Sequence, residues 1–211
     1  MRKLLYFPII HDQADMGSLE TKISQEGERK YGQAAWKDHL KQVQISWNRL
    51  QNKIKQQFDD VPADKVKIYQ DGLPEAGEIG LKIIKEVAKR GSKNYQIVED
   101  LLRKGAQLEK AESKELLIQE YNYLSRLRDA TTPVEQLNAL LVYQEKAQEL
   151  LNKRDDYIAN RINITLKYDE LGIAFFGSKH SIIDRLNKDI TVTRIQEFKD
   201  KITIDLINQG L

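Results

Sequence analysis

Two short apolar runs stand near the two ends of the chain. Leu4-Leu5-Tyr6-Phe7-Pro8-Ile9-Ile10 closes at His11, and Ile173-Ala174-Phe175-Phe176, held between Gly172 and Gly177, closes at Gly177-Ser178-Lys179-His180. Runs of this length without polar alternation predict strands buried on both faces, over residues 3–10 and 172–176. Pro8 lacks a backbone donor, so it is expected at an edge or where pairing has stopped. Val66-Lys67-Ile68-Tyr69 alternates and ends in the turn cluster Gln70-Asp71-Gly72-Leu73-Pro74, which predicts a strand exposed on one face. Residues 190–195 alternate as a fourth strand. Ala106 and Leu108 fit either a short strand or the approach to a helix capped at Ser113.

The stretches between these strands carry helical periodicity. Over 32–58, Trp36, Leu40, Val43, Trp47, Leu50, Ile54 and Phe58 recur at spacings of four and three, so they form one stripe. His39 falls off that stripe and is expected in solvent. A helix with Glu75 and Glu78 at its start carries Ile79, Ile83, Ile84 and Val87 and stops at Gly91, and another spans 93–103. Leu116, Leu117, Tyr121, Leu124 and Leu127 mark a helix over 113–129. Thr132 then caps a helix that has Pro133 at its first position and Glu135 placed for a capping box. No Gly or Pro interrupts residues 134–166, and Val134, Leu137, Leu141, Ala147, Leu150, Leu151, Ile158 and Ile162 keep the rhythm. Helices over 113–129 and 133–152 therefore predict an antiparallel hairpin. Short helices follow over 181–187 and 196–208. Strands separated by long helices need crossover connections. The fold class expected is α/β: a small, mostly parallel sheet flanked by helices, helix-rich, forming one domain over 1–211 with 113–166 as a helical hairpin within it.

Composition narrows the function. The 34 basic and 32 acidic residues are interspersed, giving a formal charge of +2 and no basic tract with interleaved aromatics, so no nucleic-acid partner is expected. No run is long enough to span a membrane, and the first apolar run lacks the small-residue cleavage pattern of a signal peptide. The absence of cysteine excludes disulfides and thiolate metal sites and fits a cytoplasmic location.

Two of only three histidines, His11 and His180, follow buried strands. Ligands of open α/β sheets collect at the carboxyl ends of strands, so these two mark a candidate site. Imidazole serves as general base or metal ligand near neutral pH. Asp155 or Glu112 could orient a histidine or supply an oxygen ligand, making His11, His180 and Glu112 the metal candidates for a divalent cation. Arg154 could bind an anion or offset developing negative charge. The loop after His11, with Asp15, Gly17 and Ser18, reads as turn and cap residues. There is no Gly-x-Ser-x-Gly elbow, so any hydrolysis would use activated water.

From Arg154 to Val192 these residues form one pattern. Arg154, Asp155, Ile158 and Ala159 lie on a helix, a buried strand follows, and Gly177 and His180 make a Gly-x-x-His turn. This resembles the C-terminal motif region of the TraB/Tiki superfamily, which groups pheromone-shutdown proteins, Tiki-type proteases, erythromycin esterases and ChaN-like haem-binding proteins. The run ending in His11 resembles the family's first motif but lacks its glycine. The resemblance covers about the first fifteen and last sixty residues. It implies hydrolysis, metal-dependent or not, with His11, His180, Arg154 and Asp155 as catalytic residues acting on a small-molecule or peptide ligand. The other class open to the sequence is a non-catalytic ligand-binding or interaction protein that docks a partner through the hairpin or forms a homo-oligomer through its amphipathic helices.

Overall fold

A computed structural model describes residues 1–9, 20–58, 60–197 and 201–208. Five strands form one all-parallel sheet: β1 (Arg2–Ile9), β2 (Val66–Gln70), β3 (Gln107–Glu109), β4 (Leu171–Gly177) and β5 (Ile190–Arg194), in the order β3-β2-β4-β1-β5. Among the described residues seven helices accompany it: α1 (Glu20–Tyr31), α2 (Gln33–Phe58), α3 (Gly77–Lys89), α4 (Lys93–Arg103), α5 (Lys114–Asp129), α6 (Pro133–Thr165) and α7 (Lys201–Asn208). The ambiguous stretch near Leu108 is thus an edge strand.

The apolar glycine-bounded run lies at the centre of the sheet. β4 pairs with β2 on one side and β1 on the other, with Ile173 opposite both Ile68 and Leu5. Phe7 and Phe175 are opposite one another, their rings stacked at 5.3 Å. On the opposite face a Cβ at Gly172 would lie 2.5 Å from Leu4 Cδ1, so a side chain there would displace buried Leu4. Pairing of β1 with β5 runs only from Arg2 to Tyr6, and Pro8 follows where that pairing has stopped.

Each face of the sheet has its own core. One is formed by Leu5, Phe7, Ile68, Ile173 and Phe175 with Val43, Trp47, Leu50 and Ile54 of α2, Ile84 of α3, and Val98 and Leu101 of α4. The other joins Leu4, Tyr6, Tyr69, Ala174 and Phe176 to Ile158, Ala159 and Ile162 of α6. The chain therefore leaves β2 toward the first face and β4 toward the second. Neighbouring strands whose connections part in this way open a crevice at their carboxyl ends.

Several local expectations need correction. β2 is buried on both faces, because α6 covers Tyr69, whose hydroxyl hydrogen-bonds Thr165 at 2.9 Å. His39 is buried with its ring 4.9 Å from that of Trp36. It sits three residues after Trp36 and four before Val43, inside a buried stripe wider than the one read from apolar residues alone. α1 is too polar to show a periodic stripe; its Gly27 lies against the Trp36 ring, 2.5 Å from where a Cβ would stand. The segment after His180 forms only a 3-10 turn, Ile183–Arg185, and residues 195–197 are not helical; the described part of the last helix is Lys201–Asn208.

Candidate functional site

The carboxyl edge of the sheet gathers side chains from four segments. Past the end of β2, the Asp71 backbone N–H donates to Phe175 O at 2.9 Å, so the β2–β4 ladder continues one residue and fixes the carboxylate. Past β3, the N–H groups of Ala111 and Glu112 both donate to Leu73 O, at 3.3 and 3.2 Å. This pins Glu112 beside the β2 turn, fully buried, just ahead of the Ser113 cap of α5. Past β4, His180 N–H donates to Gly177 O at 3.0 Å and closes the Gly-x-x-His turn. From α6 come Arg154 and Asp155. They occupy the stripe Leu150, Arg154, Ile158, Ile162 and its flank, which explains why two charged residues are buried in a helix otherwise rich in solvated charge.

Arg154 is ringed by carboxylates. Its Nη2 donates to Asp71 Oδ1 at 2.9 Å and to Glu112 Oε1, its Nε to Glu112 Oε2 at 3.2 Å, and its Nη1 to Glu120 Oε2 of α5 at 2.6 Å. The His180 ring lies between two more contacts. Nδ1 meets Asp155 Oδ1 at 2.5 Å, and Nε2 is 3.4 Å from Asp71 Oδ2. The backbone completes both carboxylates, since Gly177 N–H donates to Asp71 Oδ2 and Ser181 N–H to Asp155 Oδ2, each at 2.8 Å. The edge of the ring packs on Phe176, 5.6 Å between centroids.

The electrostatics follow from burial and an excess of carboxylates. Arg154 and His180 face Asp71, Glu112, Glu120 and Asp155, with Arg185 at the rim, 3.9 Å from Asp155. Burial pushes the Glu112 carboxyl up; the hydrogen bond from Arg154 opposes this and Asp71 adds to it, leaving it at about 7. Burial alone would lower His180, but Asp71 and the hydrogen bond to Asp155 outweigh it and carry the ring up to about 9. Lys179, inside the Gly-x-x-His turn, is pushed down by burial, with Glu120 acting the other way.

His180, Arg154, Asp155 and Glu112 thus converge on one edge. His11 and Asp15 lie outside the described residues. Asp71 and Glu120 are the members that sequence reasoning missed. Asp71 was legible in principle as the charged residue just past a parallel strand; Glu120 carries no signal beyond a helix charge.

Three of these residues could hold a divalent cation, at a place where Arg154 Nη2 already bridges Asp71 and Glu112. Asp71, Glu112 and His180 each offer a ligand atom, all within 4.8 Å of one another. Donors at about 2.1 Å from one ion lie at most about 4.2 Å apart, so modest contraction would suffice. Asp155 on Nδ1 directs Nε2 toward the other two donors, as carboxylates behind ligating histidines do. No family model, curated protein or solved structure matches this chain.

Proposed function

We propose that this chain is a small hydrolase whose working centre is Asp71, Glu112 and His180, holding a divalent cation at the carboxyl edge of the sheet. The observation that carries the reading is the orientation of His180: Asp155 engages Nδ1, and Nε2 faces Asp71 beside Glu112. A cation held there would supply a polarised water near neutral pH. The chain's own residues do the rest. Asp155 fixes the ring and offsets its charge. Arg154 holds Asp71 and Glu112 in place and balances their repulsion; with its donors engaged by three carboxylates, it acts as a positioning residue and not as a waiting anion site. Glu112 must give up its proton to hold the cation, and burial keeps that proton on up to about 7. A covalent acyl route is unsupported, because the sequence has no cysteine and no Gly-x-Ser-x-Gly elbow. The segments that resemble the TraB/Tiki superfamily supply Asp155 and His180, and membership of that superfamily is part of this reading. The substrate class is an ester or amide in a small molecule or peptide.

The test is a panel of chromogenic esters, phosphoesters and peptides, each assayed with magnesium, manganese or zinc and with chelator. The expected outcome is turnover that requires a cation and drops at least 100-fold in His180→Ala. Turnover insensitive to chelator, turnover unchanged in His180→Ala, or none on any of the panel would overturn the proposal.

A second reading, an interaction module built on the hairpin, is favoured by one observation. Val134, Leu137, Leu140, Leu141 and Val142 are all at least 40% exposed.

A further inference from the structure

The α5–α6 hairpin leaves the sheet with an unfinished core. α5 has no buried residue, and α6 has none before Leu150. Two helices alone bury only one stripe each, so apolar residues on their other faces need further helices. Those residues are concentrated on the outer half of α6. Val134, Leu137 and Leu141 follow one another at spacings of three and four, as in a coiled-coil seam. They are 68%, 56% and 54% exposed, with Leu140 and Val142 flanking them. From Val134 to Tyr143 the only charged residue is Glu135, and its carboxylate accepts from Thr131 and Thr132 N–H in the capping box. An exposed helix surface that is apolar and poor in charge has the make-up of an interface core, not of a solvated face.

We propose that this face of α6 pairs with the same face of a second copy of the chain, so that two hairpins pack into a four-helix layer. This inference is independent of the hydrolytic centre. Charge favours a like partner. From Tyr121 to Lys153 the hairpin carries Arg126, Arg128, Lys146 and Lys153 against Asp129, Glu135, Glu145 and Glu149, and three of these cations are paired within it, Arg128 with Asp129, Lys146 with Glu145 and Lys153 with Glu149. With that balance no net field selects an oppositely charged protein, and an identical surface meets no net repulsion in a two-fold contact. Size is compatible. The outer part of α6, from Pro133 to Glu149, runs about 25 Å at 1.5 Å per residue, and beside α5 it presents about 500 Å² in projection. Over two partners this is about 1,000 Å², the lower bound for a specific interface. An open groove of about 480 Å³ between the two helices near their connection, lined by Tyr123, Arg126, Ala139 and Val142, gives the paired surface relief to interlock.

The experiment is sedimentation equilibrium of the full chain across the micromolar range. The wild type is expected at twice the 24.5 kDa of one chain. Leu137→Glu/Leu141→Glu is expected at the mass of one chain, with a dimer dissociation constant raised about 100-fold or more and an unchanged circular dichroism spectrum. If that variant fails to fold, Leu137→Ala/Leu141→Ala keeps good helix formers in place and is expected to weaken the dimer measurably. A monomeric wild type, whether or not another protein binds the hairpin, overturns the proposal. So does a dimer whose dissociation constant is unaffected in a folded variant.

Discussion

His180 gives the site its pH dependence. Its ordinary value is 6.5 and in the folded chain it is carried up to about 9, so the folded state binds that proton more tightly than the unfolded one. The resulting stabilisation is complete below pH 6.5 and is lost as pH rises through 9. Glu112, raised from 4.5 to about 7, acts in the same direction at lower pH, its contribution fading between those values. Stability of the cation-free protein should therefore fall from mildly acid to alkaline pH. The His180 share is on the order of 3 kcal/mol between pH 6.5 and 9, from about 1.4 kcal/mol per unit. Melting temperatures of wild type and His180→Gln across that interval check this. The wild type should decline, and the variant should be flatter; parallel curves would show that the imidazole does not carry the effect. His180 was legible in the sequence because a long apolar run ends at a small flexible turn before it. Asp71, though it too stands just past a parallel strand, is passed over, since the same residue type is common in any turn and Asp71-Gly72 reads as turn chemistry first. His39 misled for the opposite reason: an amphipathic ring can complete a buried stripe, and apolar counting passes over it.

At the scale of elements, Arg154 is the fastening point. It joins the turns after β2 and β3 to both helices of the hairpin, through Asp71, Glu112 and Glu120. Removing one partner of a buried ion pair leaves the other without compensation, and that costs about 3–5 kcal/mol. Arg154→Met, similar in length and uncharged, should destabilise the chain by that amount in urea unfolding, with part of the loss recovered in mild acid as Glu112 takes a proton. A loss below about 1 kcal/mol would mean that the network is not structural. The elements themselves were largely readable. β4, β1, α2 and α6 follow from period and length, and the Thr132-Pro133 cap with Glu135 marks the start of α6 to the residue. The sheet order was not readable, because a long crossover allows a returning strand to insert between two earlier ones, as β4 does between β2 and β1. The burial of β2 on both faces depends on that insertion and on α6 lying across it.

Over the whole molecule, the sheet and hairpin divide the work. The parallel sheet brings charged residues from separate loops to one edge, and the hairpin contributes Arg154 and Asp155 from its base while its outer half stays apolar and exposed. Among the described residues no helix is long and apolar enough to cross a membrane. The account rests on Asp71, Glu112 and His180 forming a cation site. Calorimetric titration of manganese into the chelator-stripped protein tests this most directly. The account expects one ion per chain, an affinity that rises from pH 6 to pH 9 as Glu112 and His180 give up their protons, and loss of binding in His180→Ala. Absence of binding at any pH, or an affinity in His180→Ala equal to that of the wild type, would contradict it.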